Sequence, residues 1–143
     1  MANAELGMRI EASVDRVWAF LTGPELGELL TSVYAEKAEF EQTEKGLVVT
    51  TTLKDGGGIV RERIESRDDE NKCMRYHVLD YGPLPYTNYH GEMRVMPSGE
   101  NACHLSFQCS YIPVGMPAEQ SNQFWLEHNT EVMEKIQEIL AEK

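Results

Sequence analysis

One carboxylate in the sequence lies in a pattern that places it inside the fold. Residues 59–64 read IVRERI, so Val60, Glu62 and Ile64 alternate with two arginines. Because successive side chains of a strand point to opposite faces, the two β-branched residues put Glu62 on the buried face. Burial raises the pKa of a carboxyl group, which can then act as a general acid or base. The alternative is a structural carboxylate held by tyrosine hydroxyls or an arginine, the usual state of a buried carboxylate.

Neighbouring patterns predict an interior that is aromatic and aliphatic, with few polar groups. Alternation puts tyrosines, an aspartate and a phenylalanine on the inner faces of the next strands, and a helical stripe puts Asn129 beside a tryptophan. Apolar walls with a few orienting polar groups are typical of small-molecule pockets. Asn129 can bind a ligand, or it can bond a sheet carbonyl or buried water, and both alternatives are open. With Glu62, the predicted ligand-binding residues are Tyr76, Asp80, Tyr89, Phe107, Tyr111, Trp125 and Asn129.

The histidines and cysteines give weaker signals of chemistry. By alternation His77, His90 and His104 point outward, and no metal-ligand spacing such as HExxH occurs. We therefore expect solvated or lightly packed histidines, no dedicated metal site and no cofactor. Cys109 is expected to face inward as an inert thiol, because no histidine shares its face.

The order of hydrophobic periodicities predicts an α+β fold. Residues 6–12 alternate as a strand, Ser13 can cap a short helix, and Pro24 can open a second one. Residues 117–143 form a long amphipathic helix. The remaining segments alternate as strands and are joined by short turns, which require neighbouring strands to be antiparallel. The long helix must then fill the concave side of the sheet that these strands form. These six further strands are predicted at 33–42, 47–53, 59–67, 73–80, 88–96 and 103–112.

The composition of the chain narrows the range of partners that it can bind. The chain has 143 residues and a net charge of -11, which repels phosphate backbones and anionic lipids. Without a linker or a repeat, residues 1–143 are expected to form one domain. An odd number of cysteines, together with no visible signal peptide or membrane span, favours a cytoplasmic protein without membrane insertion. The expected assembly is a monomer or a weak homodimer.

Five segments carry a resemblance to a known family: residues 10–18 (IEASVDRVW), 57–64 (GGIVRERI), 76–85 (YHVLDYGPLP), 88–89 (NY) and the turn 97–99 (PSG). In these the sequence resembles the START-like, or SRPBCC, superfamily over essentially the whole chain, and it is most similar to the small bacterial polyketide cyclase/dehydrase-like branch. The resemblance implies a helix-grip fold. In this fold, a curved seven-stranded antiparallel sheet wraps around a long C-terminal helix, with two short helices after the first strand.

The residues and the resemblance together leave several functions open. The leading hypothesis is binding of a mid-sized apolar molecule, such as a lipid, an aromatic or a polyketide-like compound, in an internal cavity. The second is a cyclase or dehydratase of the lyase type, in which Glu62 and a tyrosine transfer a proton. The third is an interaction protein without a ligand. Gly91 shares the inner face, and Gly91→Leu is expected to fill the cavity while leaving the fold largely intact.

Overall fold

The computed structural model describes residues 1–142, and it contains one sheet and three α-helices. The seven strands are antiparallel in the order β1-β7-β6-β5-β4-β3-β2. This arrangement confirms the predicted helix-grip fold. A 3₁₀ turn, Lys54–Gly56, links two of the strands. The elements are β1 (Ala2–Ile10), α1 (Val14–Thr22), α2 (Leu26–Val33), β2 (Ala35–Thr43), β3 (Gly46–Leu53), β4 (Ile59–Asp68), β5 (Cys73–Asp80), β6 (Tyr86–Pro97), β7 (Cys103–Pro113) and α3 (Ala118–Ala141).

The first strand begins earlier and ends sooner than the predicted 6–12. Ala2 already pairs with Tyr111 of β7, and Ile10 is the last residue in the ladder. The chain then turns into α1, where the Ser13 hydroxyl accepts a hydrogen bond of 3.2 Å from the amide of Arg16. This N-cap satisfies an amide that the first helical turn leaves free, so the strand cannot continue to Ala12.

The long helix α3 covers only one side of the sheet. It packs against β1, α2 and, more lightly, β7. Its buried stripe follows the 3.6-residue period and includes Trp125, Met133 and Ile136, which are at most 1% exposed. The inner face of β2–β5 is therefore left for other elements to cover. Among residues 1–142, no helix is long and apolar enough to cross a membrane.

Two β-bulges interrupt the pairing of β4 with β5. The register shifts between Arg61 and Glu62, and again between Ile64 and Ser66. A bulge bends its strand and increases the local twist. The two bulges flank Glu62, so β4 bends in the segment that carries this residue.

The absence of a side chain at Gly91 allows Tyr76 to lie across β6. The two residues are direct cross-strand partners. A Cβ atom at Gly91 would stand 2.4 Å from Cζ of Tyr76, so the tyrosine ring occupies the space that a larger residue would need. The expectation that Gly91→Leu fills an empty cavity without disturbing the fold is therefore wrong.

We expect Gly91→Ala to reduce the free energy of unfolding by about 1–3 kcal/mol, the usual range for overpacking. The new methyl group must displace the ring of Tyr76, which is held inside the protein. Urea denaturation measures the effect, and in a Tyr76→Val background the same Gly91→Ala change should cost little, because the ring that the methyl group meets is gone. Gly7→Ala is the matched control, because its Cβ would meet only the exposed ring of His104, 2.5 Å away, which can swing into solvent. A loss as large in Gly7→Ala as in Gly91→Ala would contradict this explanation.

Candidate functional site

A cavity of about 550 Å³ lies between the α1–α2 pair and the inner face of β2–β5. It occupies the part of the sheet that α3 does not cover. Helices contribute one wall and strands the other, and most of the lining side chains are apolar. The apolar lining consists of Leu21, Leu26, Phe40, Leu47, Val49, Ile64 and Met74.

Phe40 spans the gap between sheet and helix at the edge of this cavity. It lies on β2 with 42% of its surface exposed. A Cβ at Gly27 of α2 would be only 3.6 Å from its Cε2 atom, so the ring reaches the helix backbone. Gln42 and Thr22 add polar groups to the same cavity. The side chain of Phe40 therefore partly covers the opening of the cavity, and both apolar and polar side chains surround this opening.

Glu62 lies beside the inner end of the cavity. Its direct cross-strand partner on β3 is Val49, and Ile64 follows it on the same face of β4. Both neighbours line the cavity, and directly opposed side chains on a sheet have Cβ atoms only about 5 Å apart. Within residues 1–142 the Glu62 carboxylate makes no hydrogen bond or ion pair. Burial raises the pKa of Glu62 to about 7.

Three tyrosines from three elements surround this carboxyl group. Burial, followed by the charge of Glu62, raises the pKa values of Tyr34 and Tyr76. The pKa of Tyr89 is also raised, chiefly by burial and to a smaller extent by Tyr76 and Cys109. All three hydroxyls therefore keep their protons at neutral pH. The cluster can offer proton donors to a polar group beside Glu62.

Tyr34 was missed from the predicted site. It is the C-cap residue of α2, so neither strand alternation nor the long-helix stripe applies to it. Its spacing of four residues from Leu30, itself four from Leu26, is the signal that could have found it. The Tyr34 ring contacts His128 of α3 edge-to-face at 4.8 Å. Tyr34 thus connects α2, α3 and the carboxyl cluster.

The other predicted residues are buried or, for Asn129, half-buried, and their polar atoms bond within the protein. Trp125 Nε1 donates to the Tyr89 hydroxyl at 2.7 Å. The Tyr111 hydroxyl donates to Asn122 and shares a 2.7 Å hydrogen bond with Ser121. The Asn129 amide donates to the backbone carbonyl of Trp125, one helical turn earlier, at 2.9 Å. Phe107 is 6% exposed. These residues form the packed centre next to the cavity, and none of the eight predicted residues is among those that line it.

The prediction that Asp80 faces inward is wrong. Its side chain is 53% exposed and pairs with Arg61 on the outer face at 2.8 Å. Glu62 pairs with Val78 whereas Arg61 pairs with Asp80, so Leu79 is an extra residue in β5. This bulge reverses the alternation beyond Val78, which is why a strict period of two misplaced Asp80.

Cys109 lies inside as expected, and three other residues meet unexpectedly on the outer face. Cys109 is 7% exposed, and burial raises the pKa of its thiol to about 11, as expected for an inert cysteine. Glu65, His77 and His90 each offer one potential ligand atom, and these atoms lie within 4.8 Å of one another. The group was not predicted, because alternation treats each histidine separately. The pairing of β5 with β6, which makes His77 and His90 neighbours, could have indicated it.

The chain belongs to the family described as polyketide cyclase / dehydrase and lipid transport, whose model matches residues 1–138. Members of one family share a fold, and the fold of this family is a ligand-binding one with a hydrophobic cavity. Among curated proteins, no sequence matches this chain significantly.

Solved structures with a similar fold include proteins of several organisms. The protein XoxI from Bacillus cereus superposes with a TM-score of 0.83 at 21% identity, over 97% of this chain and 95% of that one. An uncharacterised protein from Bacillus thuringiensis gives 0.80 at 21% identity, over 96% and 98%. Norcoclaurine synthase from Thalictrum flavum, in complex with dopamine and hydroxybenzaldehyde, gives 0.75 at 19% identity, over 98% and 86%. At these identities the similarity concerns the fold alone.

We expect Glu62 to make stability depend on pH. Its pKa is about 7 in the folded chain against an ordinary 4.5, so between these values the folded chain keeps a proton that the unfolded chain releases. The free energy of unfolding should therefore fall as the pH rises from about 4.5 to about 7. The fall due to Glu62 is roughly 3 kcal/mol, at about 1.4 kcal/mol per pKa unit.

Urea denaturation at about pH 5 and about pH 8 tests this expectation. Glu62→Gln should remove most of the difference between the two conditions, since the amide does not titrate. Glu41→Gln, at an exposed position of β2, should leave the difference as it is in the unmodified chain. Parallel behaviour of Glu62→Gln and the unmodified chain would show that Glu62 does not titrate in this range.

Proposed function

We propose that the protein binds a mid-sized apolar small molecule, such as a lipid, an aromatic or a polyketide-like compound, in the cavity between α1–α2 and β2–β5. The observation that carries this proposal is the cavity itself, with a volume of about 550 Å³ and mostly apolar walls. Ligand sites for small molecules typically measure about 300–1,000 Å³ and combine apolar walls with few polar groups.

The polar groups near the cavity favour a ligand with one polar end. The apolar walls would take the hydrophobic body of the molecule, because burying it removes apolar surface from water. Glu62 is the cross-strand partner of the wall residue Val49, and Tyr76 is that of the wall residue Ile64. A hydroxyl or carbonyl group reaching this end could bond a protonated Glu62 or a neutral tyrosine. A strongly anionic end would meet the charge of Glu62 and is disfavoured.

We also propose a cellular location and an oligomeric state for the protein. Three free cysteines suit a reducing compartment, and we place the protein in the cytoplasm as a monomer or weak homodimer. The net charge of -11 disfavours nucleic acid as a partner. Size-exclusion chromatography and the location of a tagged chain in its own cells test these two points.

We expect variants that fill the cavity to lose binding of a neutral apolar fluorescent probe such as N-phenyl-1-naphthylamine. Ile64→Trp and Leu47→Trp each add a bulky ring to a cavity-lining position. Either should weaken the probe affinity by at least about tenfold, since the volume the probe needs is occupied. Fluorescence titration measures the affinity, and circular dichroism shows whether the fold is kept.

Met96→Trp is the matched control for this experiment. Met96 is an exposed apolar residue of the same sheet, 41% accessible, and does not line the cavity. The Met96→Trp variant should bind the probe as tightly as the unmodified chain does. Unchanged binding in both Ile64→Trp and Leu47→Trp, with the fold intact, would place the probe elsewhere and contradict the proposal.

A second candidate function is proton transfer on a bound substrate, as in a cyclase or dehydratase. One observation favours it: Glu62 is half-buried, makes no hydrogen bond or ion pair within residues 1–142, and has a pKa of about 7. A carboxyl group with a pKa near the working pH is suited both to donate and to accept a proton. The neutral hydroxyls of Tyr76 and Tyr34 would then stabilise negative charge that develops on the substrate.

The base-catalysed ring opening of nitrobenzisoxazole tests this candidate without knowledge of the natural substrate. The reaction removes one carbon-bound proton while the ring N–O bond breaks, and it releases a coloured phenolate. The rate should rise with pH through about 7, because only ionised Glu62 is a base. Glu62→Gln should lower this rate by roughly 10²–10⁴-fold while retaining binding of a neutral apolar probe. Equal rates in Glu62→Gln and the unmodified chain would rule out Glu62 as the base.

A further inference from the structure

A pair of histidines lies on the outer face of the sheet, opposite to the cavity. His77 of β5 is the direct cross-strand partner of His90 of β6. Their imidazole rings are stacked, with centroids 4.4 Å apart and planes inclined by 28°. His90 is exposed and His77 partly so. The two rings therefore stand side by side at the surface.

A carboxylate joins this pair because of a bulge. Glu65 is the extra residue between Ile64 and Ser66, where the register of β4 against β5 shifts. The side chain of Glu65 lies next to the histidines, and one ligand atom from each of Glu65, His77 and His90 is within 4.8 Å of the other two. Two nitrogen ligands and one oxygen ligand thus converge on one small area.

A hydrogen bond to the backbone determines which nitrogen of His77 is available. Nδ1 of His77 lies 3.1 Å from the carbonyl oxygen of Tyr89. Since a carbonyl oxygen only accepts, Nδ1 carries a proton, and Nε2 of the neutral ring keeps its lone pair. Metal-binding histidines commonly donate from the other ring nitrogen to a backbone carbonyl or a carboxylate in this way.

We propose that Glu65, His77 and His90 bind a divalent transition-metal ion of the Zn²⁺ class on the outer face of the sheet, with water completing the coordination. Imidazole and carboxylate together suit Zn²⁺, Ni²⁺ and Cu²⁺. Zinc bonds of about 2.0–2.1 Å hold tetrahedral ligand atoms roughly 3.3 Å apart. Small rotations of Glu65 and His90, whose side chains are exposed, bring the three ligands to that separation.

The neighbouring cation is weakly held and does not prevent binding. Arg63 Nη2 lies 3.8 Å from Glu65 Oε1, and 25% and 41% of these two side chains are exposed. Exposed pairs at such a distance contribute little to stability, so the carboxylate can exchange Arg63 for a metal ion at small cost. The net charge of -11 further raises the local concentration of cations.

Isothermal titration of the chelator-dialysed protein with ZnCl₂ tests the proposal. The unmodified chain should bind one Zn²⁺ per chain in a saturable step, and excess Zn²⁺ should raise its melting temperature. His77→Ala and His90→Ala should each weaken binding by at least about tenfold, and Glu65→Gln by a smaller factor. Circular dichroism should show the same fold in all three variants.

His104→Ala is the control, since His104 also points outward but lies outside the group. It should bind Zn²⁺ as tightly as the unmodified chain. Two results would overturn the proposal: no saturable binding by the unmodified chain, or His90→Ala binding as tightly as His104→Ala. Glu65 also borders the cavity, but neither histidine lines it, so the results for His77→Ala and His90→Ala are independent of ligand binding there.

Discussion

Six strand spacings of about 4.8 Å make a flat seven-stranded sheet roughly 29 Å wide, whereas an α-helix with its side chains is only about 10 Å across. One helix therefore cannot cover the inner face of the sheet. In this protein α3 takes the side formed by β1 and β7, and the short α1–α2 pair spans the remainder. Two short helices joined at Gly23 and Pro24 bridge that side without filling it. The cavity of about 550 Å³ is the space that results.

The bulges of the sheet add a chemical consequence to this geometric one. Glu62 lies between the two register shifts, and its carboxyl group points toward the interior, beside wall residues of the cavity. An ionised carboxyl group that is removed from water without a partner is costly, so its pKa rises to about 7. The same bulges place Asp80 and Glu65 outside, the former against Arg61 and the latter beside two histidines. The ladder around β4 thus separates the carboxyl group of Glu62 from Glu65, which lies beside the two histidines.

The sequence was sufficient to predict the elements of the fold, because periods of 2 and 3.6 residues are local properties. It also placed Glu62 inside, since two β-branched neighbours determine its face. Alternation failed at Asp80, because the bulge at Leu79 depends on how two strands pair and not on either strand alone. The cavity walls from Leu21 and Leu26 were not predicted, because the position of α1–α2 over the sheet is a tertiary property. The hydroxyl of Tyr111 was expected to face a ligand, but it bonds Ser121 and Asn122 of α3, and the way the chain folds back between β7 and α3 is a tertiary property.

The central claim is that an apolar molecule occupies the space between α1–α2 and β2–β5. Isotope-filtered nuclear Overhauser spectroscopy of methyl-labelled protein with bound N-phenyl-1-naphthylamine, a neutral apolar probe, tests it most directly, because it reports which methyl groups lie within about 5 Å of the probe. Contacts between the probe and the methyl groups of Val49, Ile64 and Met74, which line the cavity, are the predicted result. Contacts confined to exposed methyl groups such as those of Ile112 and Val114 would contradict it.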